Sequence, residues 1–229
     1  MTAVTDTAVD DSAVGDTALD SPVSGSAVSG SAVSDSVRTT GKRSAAAKDW
    51  FEYLGLDGYC CSFVRVIDER DSLLRLGIKP DSIGAMTRHE MVTSFIEEPP
   101  TKRVFAIRLG DWTMLVEYNG VQGLEKVLAL SAGTEVIATH KGLGAGRSFR
   151  YVRDGVVLTA FDDSEFGHLV SWGREPDLLT PFVEQLKLSE FQDFDEDGVT
   201  PDLELACLVA GIKPQPEDFR GPLLCAVAE

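Results

Sequence analysis

The sequence has little positive charge, few cysteines and no long hydrophobic segment. Its 229 residues contain 21 lysines and arginines against 37 aspartates and glutamates, which gives a formal net charge of −16. A chain of this charge is repelled by phosphate backbones and by anionic lipid headgroups. No segment approaches the roughly 18 consecutive apolar residues of a membrane-spanning helix. We therefore expect neither a nucleic acid nor a membrane as a partner.

The four cysteines are too few to form a disulfide scaffold in a chain of this length. None of them belongs to a Cys-x-x-Cys pair. Cys60 and Cys61 are adjacent, so in a strand their side chains would point to opposite faces. The N-terminus also lacks the basic region and apolar stretch of a secretory signal. These features predict buried thiols in a reducing environment and a cytoplasmic protein.

Residues 1–45 differ in composition from the rest of the chain. An aliphatic residue recurs every five positions from Val4 to Val33, with one step of four. This spacing matches neither the helical period of 3.6 nor the strand period of 2. The segment holds six aspartates and has no lysine or arginine before Arg38. We expect a disordered acidic tail over residues 1–45 and a single folded domain over residues 46–229.

Two hairpins give the strongest strand signal in the body of the chain. One joins Val104–Leu109 to Trp112–Tyr118 across Gly110-Asp111, and the other turns at Asp154-Gly155. Two-residue turns of this kind join neighbouring antiparallel strands. Both faces of the first hairpin are largely apolar, so the sheet needs cover on both sides. The predicted fold class is α+β, with a mainly antiparallel sheet of about five to six strands and covering helices.

Helix signals lie before, between and after these strands. Asp68 is placed to cap a helix that ends at Gly77, and Thr87-x-x-Glu90 is a capping box that opens a second helix. Apolar residues at helical spacing recur in three later segments, 124–130, 178–188 and 203–208.

Glu117 is the most unusual residue of the tryptophan-containing strand. Its strand is otherwise predicted to be buried, and a buried carboxylate needs a partner. Arg108 on the neighbouring strand is a candidate partner, and Asn119 begins a turn next to Glu117. Two interpretations remain open. In the first, Glu117 is a structural carboxylate beside a turn, either salt-bridged or at a sheet edge. In the second, Trp112, Glu117, Asn119 and Arg108 form a corner that contacts a ligand or partner.

Residues Asp193–Glu204 match the calcium loop of an EF-hand at every fixed position. Calcium prefers oxygen ligands, which would come from Asp193, Asp195, Asp197, the backbone carbonyl of Val199 and a bidentate Glu204. Thr200 replaces the usual aliphatic residue, Pro201 restricts the backbone, and the sequence has no second loop. The alternative is a solvated acidic linker between helices. Calcium is the one cofactor that the sequence suggests.

The sequence matches known catalytic motifs only in part. The glycine-rich segment 141–148 has Arg147 in place of the phosphate-loop lysine, and a strand follows it instead of a helix. His89-Glu90 resembles the start of a zinc-binding helix, but Thr93 stands where the second histidine is needed. The three histidines have no spacing to a cysteine or serine that indicates a specific catalytic triad. These weak matches favour a non-enzymatic protein and leave an enzyme open as an alternative.

Several short segments of the body form a recognisable set. They are Phe63-Val64-Arg65, Leu76-Gly77, Gly110-Asp111-Trp112, Val116–Gly120, Asp154-Gly155, Leu205–Ile212, Pro216-Glu217 and Gly221–Leu224. Together they resemble an uncharacterised actinobacterial family that is known only as a domain of unknown function. The resemblance spans about residues 50–225 and leaves the repeat tail outside. Such a family implies no reaction, cofactor or partner, so it assigns no functional residue.

The leading expectation is a non-enzymatic cytoplasmic module that binds a protein partner or acts as an accessory factor. The acidic charge favours a basic partner, because opposite charges steer association. Two alternatives remain: a calcium-binding module that uses residues 193–204, and an enzyme with a pocket near Trp112 and Glu117.

Overall fold

A computed structural model describes residues 58–97, 102–118, 120–142, 146–163, 169–186 and 201–228 of the protein. The predicted tail over residues 1–45 lies outside these ranges. Within them, no helix is long and apolar enough to cross a membrane.

Nine strands of the described residues form one sheet in which every neighbouring pair is antiparallel. They are β1 (Tyr59–Arg65), β2 (Gly84–Thr87), β3 (Lys102–Leu109), β4 (Trp112–Tyr118), β5 (Glu135–Lys141), β6 (Arg147–Arg153), β7 (Val156–Asp163), β8 (Leu169–Trp172) and β9 (Pro222–Ala228). Their order is β2-β9-β3-β4-β1-β5-β6-β7-β8, so β2 and β8 form the two edges. The antiparallel α+β class is confirmed, but the sheet has more strands than the five to six predicted.

The helices of the described ranges are short. They are α1 (Glu69–Arg75), α2 (Arg88–Glu97), α3 (Gln122–Glu125), α4 (Val127–Leu130), α5 (Thr180–Gln185) and α6 (Pro201–Ala210), with 3-10 turns at Pro80–Ser82 and Pro216–Phe219. The single helix predicted over 124–130 is wrong, because Lys126 leaves helical geometry between α3 and α4. The side-chain ammonium group of Lys126 donates a hydrogen bond to the carbonyl of Leu76, next to the end of α1.

The predicted helix ends are confirmed by their capping hydrogen bonds. Asp68 Oδ1 accepts from the N–H of Asp71 at 2.7 Å at the start of α1. The capping box of α2 has both bonds: the N–H of Thr87 donates to Glu90 Oε2 at 2.7 Å, and the N–H of Glu90 donates to Thr87 Oγ1 at 3.3 Å. Gly77 ends α1 in the left-handed region, at φ +84°.

Both predicted hairpins are present with the predicted turns. In the β3–β4 hairpin, Leu109 pairs with Trp112 across Gly110-Asp111. In the β6–β7 hairpin, Asp154 and Gly155 both have positive φ, at 46° and 73°. A turn with two left-handed residues matches the twist of the flanking strands, and the Asp-Gly pair adopts it readily.

Both faces of the sheet are covered, as the two apolar faces of the β3–β4 hairpin predict. The face that we call the α6 face packs against α5, α6 and the Pro216–Phe219 turn, and its largest fully buried side chains are Phe63, Phe105, Phe149 and Met114. The opposite face, the α1 face, packs against α1 and α4 through smaller residues such as Val64, Ala106, Leu115, Val136 and Ala138. Burial of each large apolar side chain stabilises the fold by about 1.5–3 kcal/mol.

Apolar, β-branched segments at Cys61–Val66 and Thr134–Thr139 also predict strands, and these correspond to β1 and β5. The sequence does not predict β2, β8 and β9. β9 lies between β2 and β3 and reads Pro-Leu-Leu-Cys-Ala-Val-Ala, with no polar residue to reveal an alternation of period 2. β2 and β8 have four residues each, which is too short for a periodic signal.

Candidate functional site

Glu117 lies inside the protein, on the α1 face of β4, with only 3% of its surface exposed. Its carboxylate accepts two backbone hydrogen bonds from the next connection. The N–H of Gln122 donates to Oε2 at 2.8 Å, and the N–H of Gly123 donates to Oε1 at 2.6 Å. The thiol of Cys60, on the neighbouring strand β1, is a third hydrogen-bond partner. We call Glu117, Cys60, Gln122 and Gly123 the carboxylate clamp.

Arg108 has no part in this clamp, so the predicted ion pair between Arg108 and Glu117 is wrong. In the β3–β4 register, Glu117 pairs with Val104 and Arg108 pairs with Thr113. The two positions are four residues apart along the hairpin, or about 13 Å at ~3.3 Å per residue. Arg108 instead donates to the carbonyls of Gly110 at 2.7 Å and Ile67 at 2.9 Å.

Two glycines allow the backbone to come this close to the carboxylate. A Cβ atom on Gly120 would lie 2.6 Å from Glu117 Oε2. A Cβ atom on Gly123 would overlap Ser62 Oγ and would lie 2.8 Å from Glu117 Oε1. Any other residue at these positions must therefore displace buried atoms. The clamp holds the start of the β4–β5 connection against the sheet.

Burial sets the protonation of the clamp. It raises the pKa of the Glu117 carboxyl, although the N–H groups of Gly123 and Gln122 and the Cys60 thiol oppose this by hydrogen bonding to the charged form. Burial, together with the nearby Glu117 charge, also raises the pKa of Cys60 well above its ordinary value. Cys60 is thus held as a neutral thiol that donates to Glu117, which is the opposite of an activated nucleophile.

The structure does not bring together the three predicted corner residues that it describes, Trp112, Glu117 and Arg108. Trp112 and Glu117 are five residues apart on β4, so their side chains lie on opposite faces of the sheet. Trp112 is nearly buried in the α6 face, where the guanidinium of Arg65 lies 5.9 Å from its ring centroid. Asn119 lies outside the described residues.

The proposed calcium loop is only partly within the described residues. Asp193, Asp195, Asp197 and Val199 lie outside them, and Glu204 lies in the first turn of α6. In the described ranges, no group of three histidine, cysteine, aspartate or glutamate side chains could hold a metal ion. The calcium prediction therefore remains a prediction.

A site that the sequence did not predict lies on the last three strands at one side of the sheet, β6, β7 and the edge strand β8. Trp172 on β8 is 42% exposed, yet it has two fixed contacts. Its indole Nε1–H donates to Asp162 Oδ2 at 3.2 Å, and the guanidinium of Arg150 lies 4.8 Å from its ring centroid. Arg150 also pairs with Asp162 at 2.9 Å, and Ser148 Oγ donates to Asp162 Oδ1 at 2.6 Å. We call Ser148, Arg150, Asp162 and Trp172 the Trp172 patch.

Asp162 is the centre of this patch and carries a full negative charge. Burial acts to raise the pKa of Asp162, but hydrogen bonds from Ser148, Arg150 and Trp172 outweigh it and hold the pKa below its ordinary value. The patch therefore combines one anion, one cation and an exposed aromatic ring in a fixed arrangement. The four residues come from three strands, so only the strand register brings them together.

Comparison with protein families matches residues 44–210 to DUF6461, which is described as a family of unknown function. No curated protein and no solved structure matches the chain. The matched residues include the clamp, the Trp172 patch and most of the segments on which the resemblance depends, so the predicted family type is confirmed. Because the match covers more than half of the sequence, the protein belongs to DUF6461, a family of unknown function.

Proposed function

We propose that the protein is a non-enzymatic binding module that holds a protein partner at the Trp172 patch. The observation that carries this proposal is an exposed tryptophan ring fixed by an arginine and an aspartate. Tryptophan and arginine are enriched among the residues that dominate binding energy in protein interfaces. A ring that is already held in one position loses little further conformational freedom when a partner covers it.

The size of the exposed ring supports a measurable contribution to binding. Aromatic side chains present up to about 250 Å² of surface, so the 42% exposed on Trp172 corresponds to roughly 100 Å². At ~25 cal/mol per Å², covering it would contribute about 2.5 kcal/mol, or nearly two orders of magnitude in affinity. This is the magnitude of an interface hot spot.

The position of the patch at the sheet edge supports an extended partner segment. β8 pairs with β7 on one side, and no described strand pairs with its other side. Such an edge offers backbone N–H and C=O groups to an added strand, whose side chains would lie next to Trp172. The charges of Arg150 and Asp162 balance, so the patch itself favours neither sign of partner charge. The net charge of −16 on the whole chain then favours a basic partner.

The thiols support a cytoplasmic location for this module. All four cysteines are free, and Cys60, Cys61 and Cys225 are buried. Reduced, buried thiols are typical of proteins that work in a reducing compartment.

The proposal can be tested by affinity capture with the full-length chain from an extract of the cells that produce it. We expect one basic protein to be retained at low salt and to be released as ionic strength rises. Trp172→Ala should abolish capture, while Leu128→Ala should leave it unchanged, because Leu128 is also exposed but lies on α4. Equal capture by Trp172→Ala, with its fold confirmed by circular dichroism, would contradict the proposal.

A further inference from the structure

Two arginines share one carboxylate at the end of the sheet that carries the β3–β4 and β6–β7 turns. Arg65 Nη1 lies 3.3 Å from Glu135 Oε2, and Arg153 Nε lies 2.9 Å from Glu135 Oε1. The hydroxyl of Tyr151 donates to Glu135 Oε2 at 3.2 Å and accepts from Arg153 Nη2 at 3.2 Å. Two guanidinium groups against one carboxylate leave one positive charge on this cluster, although the whole chain is acidic.

The two guanidinium groups have donors that no described residue of the protein uses. In the described part of the chain, Arg65 makes its side-chain hydrogen bond through Nη1, and Arg153 makes its bonds through Nε and Nη2. This leaves Nε and Nη2 of Arg65 and Nη1 of Arg153 for other acceptors. The two side chains are 47% and 54% exposed, so these donors are accessible. Arginine presents its donors as a planar fork that suits carboxylate and phosphate oxygens.

The backbone next to Arg65 is strained. Val66 has a φ of +58°, which costs a β-branched residue about 1–2 kcal/mol. Its side chain is 68% exposed, so packing does not offset this cost. The N–H of Val66 donates to the carbonyl of Asp111 at 2.7 Å, and Thr134 Oγ1 donates to the carbonyl of Arg65. Both bonds hold the peptide group that joins Arg65 to Val66, so they fix the backbone directly after the residue that carries the guanidinium. Strain of this kind is concentrated at ligand sites.

The indole of Trp112 borders the cluster on the same face. The Arg65 guanidinium lies 5.9 Å from the Trp112 ring centroid, which limits the positions that the side chain can take. Glu135 limits the same side chain from the opposite side. Arg65 is thus restrained by two neighbours, whereas an ordinary surface arginine samples many rotamers.

We propose that Arg65 and Arg153 form a binding site for an oxyanion, the carboxylate or phosphate group of a small ligand. Glu135 keeps the two guanidinium groups close together by bonding to each through a different oxygen. The ligand oxygens accept from the unused donors on the solvent side. This site lies on the α6 face, whereas the Trp172 patch lies on the opposite face, so either proposal can fail without the other.

The test is a titration of the full-length chain with millimolar inorganic phosphate, and in a second arm with acetate, followed by the NMR signals of the arginine Nε–H groups. Chloride at matched ionic strength is the salt control. We expect saturable shifts of the Arg65 and Arg153 signals with at least one oxyanion and not with chloride. The tighter of the two oxyanions identifies the group that the site prefers.

Two variants decide whether the shifts report this site. Arg153→Gln should weaken binding about tenfold, since it removes a charge-assisted donor. Arg174→Gln should leave binding unchanged, because no side-chain contact joins Arg174 to this cluster. Shifts that rise linearly without saturation, or that are the same in Arg153→Gln, would overturn the proposal.

Discussion

Substitution of Gly123 by alanine tests the carboxylate clamp most severely. In an exposed helix, this change stabilises a protein by up to about 1 kcal/mol, because alanine has the higher helix propensity. Here the added Cβ would overlap Ser62 Oγ and lie 2.8 Å from Glu117 Oε1. Both side chains are almost fully buried, so neither can turn into solvent. The structure therefore predicts a loss of stability where propensity alone predicts a gain.

The size of the loss follows from the hydrogen bonds at risk. The bonds from Gln122 and Gly123 end on a charged acceptor, and each such bond contributes about 1.5–3 kcal/mol. If the clash breaks one of these bonds and the higher helix propensity of alanine offsets about 1 kcal/mol, Gly123→Ala should lower the free energy of unfolding by about 0.5–2 kcal/mol. Loss of both bonds would raise this to about 2–5 kcal/mol.

Urea unfolding of the full-length chain measures this directly. Gly84→Ala is the matched control, since a Cβ there meets nothing within 4 Å, and its effect should stay within about 0.5 kcal/mol. Ser62→Ala in the Gly123→Ala background should restore part of the loss, because it removes the overlapping oxygen. A Gly123→Ala variant as stable as the wild type would refute the clamp.

Three further predictions concern other parts of the chain. Val66→Gly should stabilise the protein by about 1 kcal/mol in urea unfolding by relieving the left-handed strain, whereas Val156→Gly, at an exposed residue without positive φ, should destabilise it. Because the folded pKa of Glu117 is raised above 4.5, its proton stabilises the native state below about that pH, and this contribution is lost as pH rises through the folded pKa. As the pH rises from about 4.5 through the folded pKa, urea unfolding should show the wild type losing stability relative to Glu117→Gln. A wild type that gains stability relative to Glu117→Gln over this pH range would contradict the raised pKa. If residues 193–204 bind calcium, calorimetry should detect heat at millimolar calcium that Asp193→Asn abolishes, and its absence in wild type would end the hypothesis.

The sequence predicted those features whose signal is local. The Gly110-Asp111 and Asp154-Gly155 turns, the Asp68 cap and the Thr87–Glu90 capping box each depend on a few neighbouring residues, and each is present. The pairing that follows from a two-residue turn is also determined once the turn is known.

The sites were less predictable because their partners are distant in sequence or belong to the backbone. Glu117 was singled out correctly as a buried carboxylate, but its partners include backbone N–H groups, which no side-chain pattern reveals. The sequence feature that could have indicated these backbone partners is the pair Gly120 and Gly123, since glycines near a buried carboxylate allow the backbone to approach it closely. The Trp172 patch depends on the register of three strands between Ser148 and Trp172.

Photo-crosslinking at the β8 edge tests the central proposal most directly. A photoreactive residue would replace Ser171, which is exposed and precedes Trp172 on β8, so its side chain lies on the opposite face of the same edge and within reach of an added strand. In a matched protein it would replace Leu128. In the producing cells, the proposal predicts a discrete crosslinked product from position 171 that is absent from position 128. Trp172→Ala should eliminate it. Identical products from both positions, or a product from position 171 that persists in Trp172→Ala, would contradict the assignment of the Trp172 patch as the binding surface.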